Sequence, residues 1–468
     1  MSMPHPPFVL VVSAFTTLLV ACSGGGSSPG NPSSAGAPGA ASGSTGLAAG
    51  GATNGAGGQA VAGATASSGS GGAGNASGGQ ASAGAAASAG SGGAAASAGS
   101  AGASSAGSGG MLGGGGMPNA TWTGTWASSP QGCSGTFTQK TMREIVHTSI
   151  SGTSARVRFS NTFSGGALQI RDVHVAQRTN GSAIDPATDK PLMFNGQPDV
   201  TIPAGMSATS DGAPFTVKAL SDVAVSFYVV SNNGATCHQN GFQTNYAADG
   251  DTASNATLAG AQTNSSYYFL SNLDVLNPDA EGAVVTLGAS ITDGFKAPSD
   301  TNQRWPNDLA VRLVMAKRVI GVLNQGISAD GVANAVARFD RDVLSQPNVK
   351  WLIFSDNAIN DFGGSKPPAQ TEIDRMKTMI AEAHGKGVKF LCSTLTPYVP
   401  AEPGRSTLNA FIRTADSGCD GIVDQDTATH NPAAPMQWLP AFNSGDSLHP
   451  NVAGLQAIAD AVSLDLFK

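Results

Sequence analysis

From Ser23 to about Gly116 the chain is almost entirely glycine, alanine and serine, with no aromatic residue and no apolar periodicity. Such a stretch cannot bury enough apolar surface to offset the conformational entropy lost on folding, so it is expected to be a disordered Gly/Ala/Ser linker, residues 23–116. Whatever folds must therefore lie within residues 117–468. The composition agrees: 62 glycines and only 12% charged residues in 468 do not suit one uniform globular chain. Treated as a Gly-rich coil of about 94 residues, the linker would span roughly 50 to 60 Å.

Ahead of the linker, Phe8 to Val20 is an apolar run too short to cross a bilayer, and it ends in small residues. Residues 1–22 read as a signal peptide, although the start carries His5 and neither Lys nor Arg. Leu19-Val20-Ala21-Cys22 resembles the bacterial lipobox, which implies lipidation of Cys22 and attachment to the bacterial cell envelope, with Ser23 resembling an outer-membrane sorting residue. Membrane contact is then expected through the lipid anchor only. The net charge of -7 and the absence of any Lys/Arg run argue against a nucleic acid partner.

Order begins near Trp122 and Trp126. Segments such as Arg156-Val157-Arg158-Phe159 and Val223 to Val229 alternate with period two, which predicts half-buried strands. Turn clusters at Ser164-Gly165-Gly166, Asn195-Gly196 and Asn232-Asn233-Gly234 suit tight connections. Residues 117–279 accordingly read as an all-β sandwich domain, with Trp122 and Trp126 expected in its core rather than on a sugar-stacking platform.

At Gly282 the pattern changes. Short apolar runs at 283–287, 319–323, 349–354 and 388–392 alternate with helical stretches at 305–316, 372–384 and 452–466. Strand followed by helix, repeated, predicts an α/β domain over residues 280–468, with a parallel sheet covered on both faces. In such sheets ligands bind at the carboxyl ends of the strands. Setting Cys22 aside, Cys133, Cys237, Cys392 and Cys419 form an even set, as suits an oxidising compartment. Two fall in each folded part, so Cys133–Cys237 and Cys392–Cys419 are the expected bridges, while other pairings stay open.

The first predicted strand runs into Leu287-Gly288-Ala289-Ser290-Ile291-Thr292, which puts Ser290 just past the strand end. This differs from the Gly-x-Ser-x-Gly elbow, because Thr292 stands where the second glycine would be. In Asp446-Ser447-Leu448-His449, closed by Pro450, the carboxylate can accept the Nδ1 proton and leave Nε2 free to deprotonate a serine. Asn324-Gln325-Gly326 and Asn357-Ala358-Ile359-Asn360 follow the second and third strands. A glycine N–H and an asparagine amide are donors suited to a tetrahedral oxyanion, each worth on the order of 3 kcal/mol when preorganised.

Ser290, Gly326, Asn360 and His449, in that order, resemble the four signature residues of the SGNH, or GDSL-type, hydrolase family. The resemblance implies a flavodoxin-like three-layer fold over residues 280–468 and ester hydrolysis with no metal and no cofactor. Upstream, Thr141 to His147, Arg156 to Asn161 and Gly250-Asp251-Thr252 are similar to a β-sandwich found in front of some bacterial members, and Arg304-Trp305-Pro306 and Arg338 to Leu344 fit that subgroup. Ala289 and Ala358 depart from the family pattern, which commonly has aspartate and glycine there. The nucleophile turn is thus expected to lack an acceptor, and the Ala358 methyl to narrow the cleft beside Asn360.

The expected function is a serine esterase working through an acyl-enzyme. Ser290 would be the nucleophile, His449 the base, Asp446 its orienting partner, and the Ser290 N–H, Gly326 N–H and Asn360 amide the oxyanion hole. The ester substrate is expected to be short-chain or acetyl esters on carbohydrate, with acetylated polysaccharide suited to the tether and sandwich. Two alternatives stand beside it: a polysaccharide-binding adhesion lipoprotein with a weak or inactive hydrolase domain, and a lipase or thioesterase of the same fold. The first conflicts with the intact Ser290, Asp446 and His449, and no amphipathic lipid-binding helix supports a phospholipase. His147, His174 and His238 lack the ligand cluster of a zinc site, His384 reads as a helix-end residue and His430 as a loop residue.

Overall fold

The computed structural model describes residues 121–468, so the leader with Cys22 and the linker lie outside the described residues. Between Trp122 and Leu276 every regular element is a strand, apart from a short 3-10 turn at Pro186–Thr188. The period-two segments pair antiparallel throughout: Gly152–Ser160 lies between Leu270–Leu276 and Ala213–Val217, and Asp222–Ser231 between Lys140–His147 and Leu168–Asn180. Alternate residues face inward. Val157 and Phe159 from the first sheet and Val225 and Phe227 from the second share one apolar core. Trp126 is buried there with its ring edge-on to Tyr267, whereas Trp122 stays half-buried under the Arg156 guanidinium.

The second half is built on a five-stranded parallel sheet in the order Ile320–Gly326, Gly282–Gly288, Val349–Phe354, Lys389–Ser393, Gly421–Val423. Its strands are buried on both faces, and consecutive residues part company. Ala283, Val285 and Leu287 pack under helices Val332–Ala337, Ala369–Gly385 and Gly404–Ile412. Val284 packs on the other side, with Ile320 and Val322, under Trp305–Met315 and Val452–Asp460. The result is three layers, with the strand order reversing at the Gly282–Gly288 strand, the point at whose carboxyl ends such sheets bind ligands.

Two elements differ from expectation. The fifth strand, Gly421–Val423, has three residues, too short for a period to register. The last helix stops at Asp460 instead of continuing to Leu466, because Val462 turns into the core and its N–H binds Ala459 O; Leu464–Phe467 is a separate 3-10 turn. Both cysteine bridges form: Cys133 to Cys237 between two short strands, and Cys392 to Cys419 at the end of the fourth parallel strand.

The two halves meet backbone to backbone. A Cβ at Gly321 would lie 1.9 Å from Gly124 O, so this approach requires glycine at 321, and one at Gly124 would lie 2.8 Å from the end of the Leu323 side chain, which would have to shift. Val322 N–H, on the edge strand of the parallel sheet, is taken by Ser149 Oγ at 3.0 Å.

Candidate active site

Gly288 ends the first parallel strand and Ser290 opens a four-residue helix, Ser290–Asp293. The turn leaves no room for a side chain at Gly288, where a Cβ would lie 2.1 Å from Thr292 Oγ1 and 2.4 Å from Asp356 Oδ1. The first N–H groups of a helix lack partners within it. Asp356, just beyond the third strand, accepts two of the N–H groups of the turn, Ala289 at 3.0 Å and Ile291 at 2.8 Å, and the Thr292 hydroxyl at 2.5 Å. The Ser290 N–H between them has no partner among the described residues.

Asp356 corrects one expectation: the acceptor thought missing because of Ala289 is supplied from a different strand. The polar pair Ser355-Asp356 directly after an apolar run was the one signal for it. A second correction concerns Ala358. Its side chain is fully buried in the core under the helices and does not narrow the cleft beside Asn360.

Ser290 Oγ lies 2.9 Å from His449 Nε2, and His449 Nδ1 lies 2.9 Å from Asp446 Oδ2. The Asp-x-x-His spacing lets Asp446 Oδ1 accept the N–H groups of Leu448 at 3.0 Å and His449 at 2.8 Å, so the loop itself aims the carboxylate. Asn443 Oδ1 holds the same loop through Gly445 and Ser447, and Asn451 caps the following helix through Gly454 N–H. Phe295 packs against the His449 ring at 4.6 Å between centroids. Burial pushes the Asp446 carboxyl up, but the donors from His449 and Leu448 outweigh it and hold the group well below the ordinary carboxylate range.

The two other candidate oxyanion donors are placed differently. Gly326 N–H is already bound to Asn324 Oδ1 at 2.9 Å. A Cβ at Gly326 would lie 2.3 Å from Asp293 N, so glycine is needed here for the nucleophile helix to pack. Asn360 gives one amide hydrogen to Asp330 O at 2.9 Å and keeps the second.

Behind these groups lies a buried polar layer that sequence reasoning did not assemble. Asp293 accepts from Ser328 N–H at 3.0 Å and its hydroxyl at 2.7 Å, and faces His238 Nε2 at 3.0 Å. His238 Nδ1 faces Ser129 O at 3.0 Å, so both ring nitrogens are engaged. Arg338 is paired with Asp330 at 2.8 Å and donates to Gly288 O at 3.2 Å, Gln325 O at 2.8 Å and Ser129 Oγ at 2.9 Å. Of the other described histidines, His147 meets Asp222, His174 lies between Asp172 and Asp189, His384 is held by Asp420 at 2.8 Å rather than only by its helix end, and His430, on a two-residue strand rather than in a loop, lies 3.8 Å from Asp426. Among the described residues no group of three or more His, Cys, Asp or Glu side chains is arranged to hold a metal ion, and no helix is long and apolar enough to cross a membrane. A cleft of about 560 Å3 borders the catalytic loop, lined by Val399, Met436, Trp438 and Ser447 among others.

Residues 286–457 match the model of the GDSL-like lipase/acylhydrolase family, and Ser290, Gly326, Asn360, Asp446 and His449 all fall within the matched stretch. Among solved structures the chain is similar to an acetylxylan esterase from Geobacillus stearothermophilus, at 21% identity over 39% of this chain and 92% of that one, with a TM-score of 0.32. It is also similar to a GDSL-like lipase from Bacteroides thetaiotaomicron, at 16% identity over 40% and 88%, TM-score 0.32. An α/β hydrolase from the metagenome of Lake Arreo, Spain, matches at 21% identity over 39% and 93%, TM-score 0.31. No curated protein matches the chain.

Proposed function

We propose that the chain is a serine esterase that hydrolyses carboxylic esters through an acyl-enzyme on Ser290. The observation that carries this reading is the continuous relay from Ser290 Oγ to His449 Nε2 and from His449 Nδ1 to Asp446, each link 2.9 Å, at the carboxyl edge of a parallel sheet. In the mechanism, His449 takes the Ser290 proton as Oγ attacks the ester carbonyl, then delivers it to the leaving alcohol. Asp446 keeps the Nδ1 proton in place and stabilises the imidazolium. The oxyanion is received by the Ser290 N–H and the free hydrogen of the Asn360 amide. Gly326 N–H joins them only if it leaves Asn324, so Asn324 is assigned the role of holding that donor in reserve.

Water, activated by the same histidine, then releases the acid. Residues 117–279 are assigned as an accessory β-sandwich domain, with their antiparallel sheets and common core as support. We propose short-chain or acetyl esters on carbohydrate as the substrate, with the alcohol portion seated in the open cleft beside the catalytic loop. The lipobox-like Cys22 and the long tether support a lipid-anchored enzyme of the bacterial cell envelope reaching an insoluble polymer.

The test compares wild type with Ser290→Ala on p-nitrophenyl acetate, butyrate and octanoate, together with acetate release from acetylated xylan. Loss of at least about a thousandfold in rate on a short ester is expected for removing the nucleophile. Equal inertness of both proteins on every ester would instead support the adhesion reading.

A further inference from the structure

A guanidinium in the seam between two packed layers is costly unless water or a ligand meets it. On the Gly152–Ser160 strand, Arg156 is paired with Asp274 at 2.9 Å, but Arg158, two residues on and facing the same way, makes no ion pair or side-chain hydrogen bond among the described residues. Burial pulls its pKa below the ordinary guanidinium value against the opposing pull of Asp274. Arg158 lines a cavity of about 60 Å3 between the antiparallel sheet, Gln325 near the end of the Ile320–Gly326 strand, and the Asp340–Leu344 turn that precedes the Val349–Phe354 strand. A water needs about 10 to 15 Å3 on this measure, so the space suits about four to six waters or one small oxyanion.

Two glutamines, Gln325 and Gln346, line it as well. Ser129 Oγ receives an Arg338 N–H at 2.9 Å, so its own proton goes to Gln325 Oε1 at 2.5 Å. That bond fixes the Gln325 amide, leaving Nε2 of a 1% exposed side chain without a partner. Gln346, 5% exposed, accepts the Asn272 amide on Oε1 at 2.6 Å, and its Nε2 is likewise unpartnered. The lining carboxylate, Asp342, is already saturated by Arg338 and Arg341. The cavity is thus lined by the Arg158 guanidinium and by two glutamines whose amide nitrogens have no hydrogen-bond partner among the described residues.

We propose that this cavity is a binding site for one small oxyanion, of carboxylate or phosphate size, held by the Arg158 guanidinium and the Gln325 and Gln346 amides. A planar fork and two N–H donors match an oxyanion's lone pairs in number and sign. The site is separate from Ser290, and it stands or falls independently of the esterase reading because its test reads binding.

The whole chain is titrated with sodium acetate, sodium phosphate and sodium chloride at matched ionic strength, with thermal unfolding as the readout. A saturable rise in Tm of roughly 5 °C at about 100 times Kd is expected with acetate, phosphate or both, and not with chloride. Acetate alone marks a carboxylate site able to hold the acid an ester hydrolase releases; phosphate alone marks an inorganic phosphate site. Arg158→Gln should abolish the shift while leaving ester hydrolysis unchanged. Gln346→Glu, which supplies Arg158 with an internal carboxylate, should abolish it too and guards against a folding failure in the first variant. No saturable shift in wild type, or a shift retained in a folded variant of either kind, overturns the proposal.

Discussion

Asp356 holds two backbone N–H groups and one hydroxyl of the nucleophile turn while touching no part of the relay itself. Replacing it with asparagine keeps one acceptor and turns an amide toward donors. Asp356→Asn is expected to lose about 2 to 3 kcal/mol in urea unfolding and to lower kcat at least about tenfold with little change in KM. An unchanged kcat would show that the turn keeps its geometry without the carboxylate. Asp446 acts directly on the base. Asp446→Asn should reduce kcat between about a hundredfold and ten-thousandfold by favouring the wrong tautomer of His449. Its pKa is depressed in the fold, so the pair contributes stability that is fully present above the ordinary carboxyl value of 3.8 and is lost as pH falls below it. The Tm gap between wild type and Asp446→Asn should accordingly narrow as pH is lowered from about 5 toward 3.

At the scale of elements, the nucleophile helix is pinned from the antiparallel half of the chain. His238 follows Cys237, whose bridge to Cys133 fixes the Ala235–His238 strand, and its ring meets Asp293 on the last residue of the Ser290–Asp293 helix. Both side chains are buried. Removing His238 leaves the buried Asp293 Oδ1 without its partner, so His238→Leu should destabilise by about 1 to 3 kcal/mol, and the double variant His238→Leu/Asp293→Asn should lose less than the sum of the two single changes. Additive losses in the double variant, followed by chemical unfolding, would remove the pair from the account. The elements themselves were largely legible: period two in Val223 to Val229 and the strand–helix alternation after Gly282 each became the expected structure. Gly421–Val423 and the early stop at Asp460 were not, because three residues carry no period and the stop is set by where Val462 packs.

For the molecule as a whole, the two halves behave as one structure. Ser149 satisfies the edge strand of the parallel sheet, Ser129 joins the Arg338 network, and Gly321 lies too close to the Gly124 carbonyl for any side chain. A fragment of residues 280–468 would bare that edge, and it is expected to be poorly soluble and to retain under about a hundredth of the intact chain's ester hydrolysis. Full activity in a soluble fragment would show that the β-rich half is dispensable. The sequence by itself determined the order of motifs along the strands, the position of Ser290 past a strand end, and the Asp446–His449 contact, since residues three apart in one loop are brought together by backbone geometry alone. Only the tertiary structure decided that Asp356 replaces the absent acceptor, that Asn324 occupies Gly326 N–H, and that His238 reaches Asp293. The first and third join residues far apart in the chain, and all three depend on how strand ends and halves pack, which no local period or spacing encodes.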